Sequence, residues 1–138
     1  LRRSAWTIRQ EIVISRGSTH QQNPRYFTPT ADERLFWLVR GKIPQLPDRP
    51  IKLPTIWHLP QRGARSWHPC PFLEEIPRRC LEALGKPGDV VLDPFGGSMI
   101  VPRVALELAY DAIGVEIREE YLDRAAQENG WSPAASTS

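Results

Sequence analysis

An acid followed by a pair of glycines marks the segment of the 138-residue chain that is best suited to binding a ligand. In "VVLDPFGGSMIV", residues 90–101, an apolar run ends at Asp93 and leads to Gly96 and Gly97, while Glu116 follows 23 residues after Asp93. Glycines let the backbone approach a ligand closely, and an acid about 20 residues beyond such a loop can accept ribose hydroxyls. Because the loop does not have the GxGxxG pattern of a phosphate-binding loop, the two acids and the glycines predict binding of an adenosyl group rather than of a phosphate. The alternative is that both acids only end strands and that the glycines only turn the chain.

The elements around these acids alternate between helix and strand. The pattern predicts a helix over 77–85, a strand over 90–93, a helix over 99–109, a strand over 111–116 and a helix over 118–129. Such alternation implies right-handed crossovers and a parallel sheet, and ligands bind outside the carboxyl ends of its strands. Asp93 and Glu116 are expected at these ends, and Ser98 is expected to cap the following helix.

The front half predicts three further strands, over 6–14, 33–40 and 55–59. The second of these is apolar nearly throughout, which predicts burial on both of its faces. Residues 41–54 contain four prolines, and neither a helix nor a central strand tolerates that density, so this stretch is expected to be an irregular linker.

Composition limits the function classes. The net charge of +2 is too small to predict nucleic-acid binding by itself. No apolar run approaches the length of about 18 residues that a membrane span requires, so no membrane association is expected. The two cysteines, Cys70 and Cys80, provide neither a disulfide framework nor a metal set, and they are expected to be reduced, structural thiols of a cytoplasmic protein.

The loop and its neighbours resemble the amino-methylating DNA methyltransferases, which modify N6 of adenine or N4 of cytosine. "DPFGGS" resembles the glycine loop of that family, "HPCPFLEEIPRRC" resembles the segment before it, and "IGVEIREEY" resembles the strand and helix after it. The resemblance implies a Rossmann-like α/β sheet with flanking helices, present here incompletely, that binds S-adenosyl-L-methionine. It implies cofactor-binding roles for these residues: Pro71, Phe72, Asp93, Phe95, Gly97, Ser98 and Glu116. Glu116 would accept the ribose hydroxyls, and Pro71 and Phe72 would line the wall around the methionine end.

The front half is similar to the same family more loosely, through "WTIRQEIVI", "RYFTPTADERLFWLVR" and "TIWHLP". The resemblance covers roughly residues 6–127. It implies a single methyltransferase-like domain over 1–130, with its cofactor-binding half at 68–127 and a flexible tail at 131–138, and it implies double-stranded DNA as a partner.

Two departures from the family pattern bear on activity. Met99 replaces the third glycine of the loop, and its side chain is expected to block a positive φ and to lower the affinity for the cofactor. The catalytic tetrapeptide, Asp or Ser followed by Pro-Pro-Tyr, is absent, and "NPRY" at 23–26 is a poor match in the wrong place. The catalytic residues are therefore unknown. The chain is either part of a DNA methyltransferase or a non-catalytic cofactor-binding module or degenerate remnant that needs a second chain to supply the tetrapeptide.

Overall fold

The computed structural model describes residues 6–17, 32–42, 53–60, 67–69 and 73–132. The elements follow one another as β1 (Trp6–Ser15), β2 (Asp32–Arg40), β3 (Ile56–His58), α1 (Glu75–Leu84), β4 (Val90–Asp93), α2 (Ile100–Glu107), β5 (Asp111–Gly114) and α3 (Glu119–Asn129). The described residues form two compact units, one that contains β1, β2 and β3 and one that contains α1, β4, α2, β5 and α3. The single domain over 1–130 stays a prediction.

The first unit contains a three-stranded sheet in the order β2-β1-β3. β1 pairs with β2 in antiparallel fashion from Trp6 opposite Arg40 to Ser15 opposite Asp32, with an irregularity between Ile8 and Gln10. β3 adds to the other edge of β1 in parallel, with its three residues beside 13–15. All three predicted strands are thus confirmed, although β3 is shorter than its predicted range.

One face of this sheet carries the core of the first unit. Ile14, Val39 and Trp57 are buried, and the Trp57 indole N–H donates to the Pro54 carbonyl at 2.8 Å. The other face exposes large apolar side chains: Trp6, Ile8, Phe36, Leu38 and Ile56. The prediction that 33–40 is buried on both faces is therefore wrong. Successive side chains of a strand point to opposite faces, and alternate residues of β2 lie on a face that no described residues cover.

The second unit contains the predicted parallel pair. β4 runs beside β5 from Val90 opposite Asp111 to Asp93 opposite Gly114, which confirms the parallel sheet. Helix α2 packs against one face of the pair, and buried side chains of this unit form its core: Ile76, Met99, Val104, Ala105, Tyr110, Ala125 and Ala126. The opposite face exposes four apolar side chains, to between 50% and 64%: Val90, Leu92, Ile113 and Val115.

Four alternating charges join α1 to α2. The Arg103 guanidinium donates to Glu107 and to Glu74, at 2.7 Å in each case, and Arg78 donates to the same two carboxylates. The Arg103 and Arg78 hydrogen bonds, in that order of importance, hold the pKa of Glu74 below its usual value despite some desolvation. These four side chains are called the interhelix network below.

The helix ends differ from their predicted positions by a few residues. α1 begins at Glu75 rather than at residue 77, so Pro77 lies in its first turn, where the missing N–H is tolerated. α3 ends at Gly130, which takes a left-handed conformation as a helix C-cap. Cys80 is a free, half-buried thiol whose pKa is raised by burial, whereas Cys70 lies outside the described residues. Among the helices described, none has the length and apolar character that a membrane crossing needs.

Candidate functional site

The turn after β4 is held in place by backbone N–H groups that donate to strand ends. The Asp93 carboxylate accepts from the Phe95 N–H at 3.0 Å, and the Gly97 N–H donates to Glu116 Oε2 at 2.7 Å. The Gly96 N–H donates to the Val115 carbonyl at 2.7 Å. The two predicted acids thus lie at neighbouring strand ends, and both contact the loop between them, here called the glycine loop (residues 93–98).

Glu116 is the most heavily engaged acid of the site. Besides the Gly97 bond, its Oε1 accepts the Arg118 N–H at 2.9 Å. The N–H of Arg118 is the largest influence on the pKa of Glu116, and together with that of Gly97 it outweighs desolvation and lowers this pKa. Glu116 is therefore ionised near neutral pH and acts as a fixed acceptor next to the loop.

Met99 adopts the conformation that its side chain was expected to exclude. Its φ is +57° and its side chain is 3% exposed. A Cβ built at either Gly96 or Gly114 would lie 2.5 Å from the Met99 sulfur, so these two glycines provide the space that the thioether fills. A left-handed conformation costs a non-glycine residue roughly 1–2 kcal/mol, and burying the side chain offsets that cost. The expectation that a side chain at position 99 blocks a positive φ is therefore wrong, whereas the expected loss of cofactor affinity stays a prediction.

The Met99 side chain lies against Gly96 of the glycine loop and Gly114 of β5, but it does not line the cavity that opens in front of the loop. It lines a cavity of about 230 Å³ that is bounded by α2, β5, α3 and the segment after α3. This cavity is called the second cavity below, to distinguish it from the cavity next to the glycine loop. The lining of that cavity is mostly apolar: Met99, Pro102, Leu106, Ala112, Gly114, Leu122, Ala126, Trp131 and Ser132. The thioether therefore does not fill the space in front of the loop.

Ser98 does not have the capping role that the sequence predicts. The N-cap of α2 is Met99, and no side chain makes a capping hydrogen bond there. The prediction fails because the left-handed turn at Met99 moves the helix start by one residue. Ser98 instead lines the cavity next to the loop.

A cavity of about 230 Å³ opens in front of the glycine loop. Its lining consists of His68, Asp93, Phe95, Gly96, Gly97, Ser98, Ile100 and Val101. Four of the predicted cofactor residues, Asp93, Phe95, Gly97 and Ser98, thus meet at one cavity, and the Phe95 ring is 87% exposed there. Glu116 is not part of the lining and reaches the loop through Gly97. Pro71 and Phe72 lie outside the described residues, as does "NPRY" at 23–26.

His68 is a site residue that the sequence reasoning did not select. Its Nε2 lies 3.2 Å from the position that a Cβ on Gly97 would occupy, and Gly97 has a positive φ of 52°. A side chain at Gly97 would therefore be strained and would also crowd the imidazole. The His-Pro pair at the start of "HPCPF" was the available signal. No metal-binding group of His, Cys, Asp or Glu occurs within the described ranges.

Comparison with known sequences places this site in a family. The sequence model of the DNA methylase family, the N6/N4 methyltransferases, matches residues 2–128. The chain belongs to this family. It is 27% identical over 139 residues to the type II methyltransferase M.SmaI of Serratia marcescens, a match that covers 92% of this chain and 48% of that protein. It is 35% identical over 86 residues to the DNA adenine methyltransferase YhdJ of Escherichia coli K12, covering 59% of this chain and 29% of that protein.

Solved structures show the same fold. The complex of M1.HpyAVI with SAM superimposes with a TM-score of 0.72 at 22% identity, covering 90% of this chain and 63% of that chain. The cytosine-N4-specific PvuII DNA methyltransferase gives a TM-score of 0.73 at 17% identity, covering 95% of this chain and 54% of that chain. The fold is therefore the α/β, Rossmann-like fold of the S-adenosylmethionine-dependent methyltransferases, as predicted. The chain spans about half the length of the curated relatives M.SmaI and M.Cfr9I.

Proposed function

We propose that this chain binds S-adenosyl-L-methionine in the cavity next to the glycine loop. The observation that carries the proposal is that Asp93 and Glu116, at adjacent strand ends, both accept N–H groups of the loop. A carboxylate has about four acceptor positions, and the backbone N–H groups of Gly97, Ile117 and Arg118 use three of those on Glu116. Capacity therefore remains for a ribose hydroxyl. Phe95, Gly97 and Ser98 would contact the cofactor from the loop, and Pro71 and Phe72 would line its methionine end.

The whole protein is proposed to transfer a methyl group to an exocyclic amine of double-stranded DNA, at N6 of adenine or N4 of cytosine. S-adenosyl-L-methionine would supply the methyl group, which the exocyclic amine of a flipped base would accept with loss of a proton, leaving S-adenosylhomocysteine. This chain would bind and orient the methyl donor for that step. We propose a cytoplasmic location for this reaction.

The residues that receive the target amine would come from outside this sequence. The 138 residues contain no Pro-Pro-Tyr, and matched relatives such as M.SmaI and M.Cfr9I are about twice as long. Either the remainder of a longer polypeptide or a second chain would supply the tetrapeptide. The exposed apolar face of β4 and β5 supports this proposal, because parallel sheets are normally covered on both faces.

A non-catalytic cofactor-binding module is the second candidate function. The missing tetrapeptide favours it for this chain taken alone. The buried Met99 argues against a degenerate remnant, because the replacement of the third glycine is accommodated by packing at Gly96 and Gly114.

Calorimetric titration with S-adenosylhomocysteine tests the binding step, with Glu116→Ala as the impaired variant and Glu119→Ala as the matched control on a nearby exposed acid. We expect the wild type and the control to bind and Glu116→Ala to bind more weakly. No heat with the wild type at millimolar ligand would overturn the binding proposal.

A second assay tests the chemistry by following labelled methyl transfer to DNA by the chain alone and by the chain mixed with a fragment that carries Pro-Pro-Tyr. Transfer only in the mixture supports the methyltransferase proposal. Binding without transfer in either arm supports the binding module. Transfer by the chain alone would contradict the claim that the catalytic tetrapeptide lies outside it.

A further inference from the structure

The short segment 67–69 is attached to the site through its side chains. The Trp67 indole N–H donates to Glu128 Oε2 at 2.7 Å, which joins the segment to the last turns of α3. The Trp67 ring lies edge-on to the Tyr121 ring, with centroids 5.6 Å apart, and Arg124 lies 5.0 Å from the Trp67 centroid. The indole is therefore held by three residues of one helix.

His68 continues this arrangement toward the glycine loop. Its ring is edge-on to Tyr121 at 4.9 Å and to Trp67 at 5.7 Å between centroids. On its other side, the imidazole Nε2 lies over Gly97, whose N–H is bonded to Glu116. The four residues Trp67, His68, Tyr121 and Glu128 are called the Trp67 cluster below.

We propose that Trp67, held by Glu128 and Tyr121, is a positioning residue that sets the affinity of the glycine-loop cavity for its nucleoside ligand by keeping His68 over Gly97. The proposal rests on the proposed cofactor site for its ligand and goes beyond it by assigning control of that site to α3. His68 lines the cavity directly, whereas Trp67, Tyr121 and Glu128 do not and act only through His68. An imidazole that rotates away would enlarge the cavity and remove one wall from a bound ligand.

The chemistry of the cluster distinguishes conservative from disruptive changes. Trp67→Phe keeps an aromatic ring but removes the donor to Glu128. Glu128→Gln keeps a carbonyl acceptor for the indole, whereas Glu128→Ala removes it. Tyr121→Phe keeps the ring contacts and loses only the hydroxyl, which accepts from Arg118 at 2.9 Å. Trp131→Phe is a matched control, because Trp131 lines the second cavity instead.

The test compares S-adenosylhomocysteine affinity with the unfolding temperature of the unliganded chain. We expect Trp67→Phe and Glu128→Ala to lose affinity by about two-fold to thirty-fold, the range of couplings through packed networks. Glu128→Gln, Tyr121→Phe and Trp131→Phe should bind like the wild type. A loss in Trp67→Phe and Glu128→Ala, at an unfolding temperature matching that of Trp131→Phe, supports positioning. Unchanged affinity in both variants would overturn it.

A ligand-free measurement keeps this inference separate from the proposed function. The nuclear Overhauser effect between the His68 ring protons and the Gly97 α-protons reports their proximity. Its loss in Trp67→Phe and its retention in Glu128→Gln support positioning, and its retention in Trp67→Phe overturns positioning. A wild type that binds no S-adenosylhomocysteine overturns the cofactor proposal, and the Overhauser comparison then decides whether Trp67 positions His68.

Discussion

Glu116 Oε2 accepts the backbone N–H of Gly97 at 2.7 Å, so the end of β5 holds the loop that follows β4. The same carboxylate accepts the N–H of Arg118. One side chain thereby fixes the glycine loop and the approach to α3. Any ligand that contacts Glu116 is placed relative to both.

Replacing Glu116 with Gln should loosen this arrangement. The amide retains one acceptor oxygen but loses the charge, and a hydrogen bond to a charged group contributes about 1.5–3 kcal/mol. Affinity for S-adenosylhomocysteine should therefore fall by about ten-fold or more in calorimetry. Glu119→Gln, at an exposed acid in the first turn of α3, should leave the affinity unchanged. An equal loss in both variants would assign the effect to general electrostatics.

Replacing Met99 with Gly should destabilise the chain although it relieves a left-handed residue. Relief of the backbone contributes roughly 1–2 kcal/mol, whereas deleting a buried side chain of this size costs roughly 2–5 kcal/mol. Urea denaturation should thus show a net loss in the free energy of unfolding. Because the thioether lines the second cavity and not the cavity in front of the glycine loop, affinity for S-adenosylhomocysteine should not rise. A gain in both the free energy of unfolding and the affinity for S-adenosylhomocysteine would contradict the packing of Met99 against Gly96 and Gly114.

The contact between Met99 and Gly114 can be tested by a double-mutant cycle. Gly114→Ala would bring a Cβ to 2.5 Å from the Met99 sulfur and 2.8 Å from Pro102, so it should be destabilising alone. In the Met99→Ala background the added methyl no longer meets the sulfur, although Pro102 still crowds it, so its cost should shrink by about 0.5–3 kcal/mol without vanishing. Additive costs would mean that Gly114 is constrained by something other than Met99.

The interhelix network should make stability depend on pH and salt. The folded-state pKa of Glu74 lies below its unfolded value of about 4.3, so its contribution is present above that pH and is lost as pH falls through the folded pKa. The free energy of unfolding should therefore decline on acidification below about pH 5, and Glu74→Gln should flatten this decline. High salt should weaken the network, because its side chains are partly exposed, and each such pair contributes only about 0.2–1 kcal/mol. An identical acid profile for Glu74→Gln would contradict this assignment.

The exposed face of β4 and β5 should tolerate polar substitution in the chain alone. Leu92→Thr and Ile113→Thr should each change the free energy of unfolding by no more than about 0.5 kcal/mol, the usual range for surface changes. The same pair should prevent stimulation of methyl transfer by a Pro-Pro-Tyr fragment, if that fragment covers the face. A loss of several kcal/mol in the chain alone would mean that the face is already buried.

The order of elements and the acids at the site could be predicted from sequence because the signals are local. Apolar runs ending at Asp93 and shortly before Glu116, together with helix boundaries at proline and glycine, indicate a parallel pair with acids at its carboxyl ends. The exposure of Phe36 and Leu38 could not be predicted in this way. It depends on how many layers cover the sheet. The sequence of an apolar strand does not indicate whether one or both of its faces are covered.

The other features that the sequence did not predict depend on contacts between residues that are distant in the chain. The positive φ of Met99 is tolerated because Gly114, on a different element, leaves space for the thioether. The position of His68 depends on Trp67 contacting Glu128, 61 residues further along the chain. Neither relationship leaves a periodic or compositional trace, so only the three-dimensional arrangement reveals it.

The hydrogen bonds from Phe95, Gly96 and Gly97 to acceptors at strand ends have a further consequence for recognition. Preorganised receptors avoid ordering a segment at the moment of association, and that ordering is a large part of what weakens flexible sites. The glycine loop is constrained before any nucleoside arrives. Association at this loop should therefore proceed with a small entropic penalty from the backbone, and discrimination between ligands should come from the walls around it.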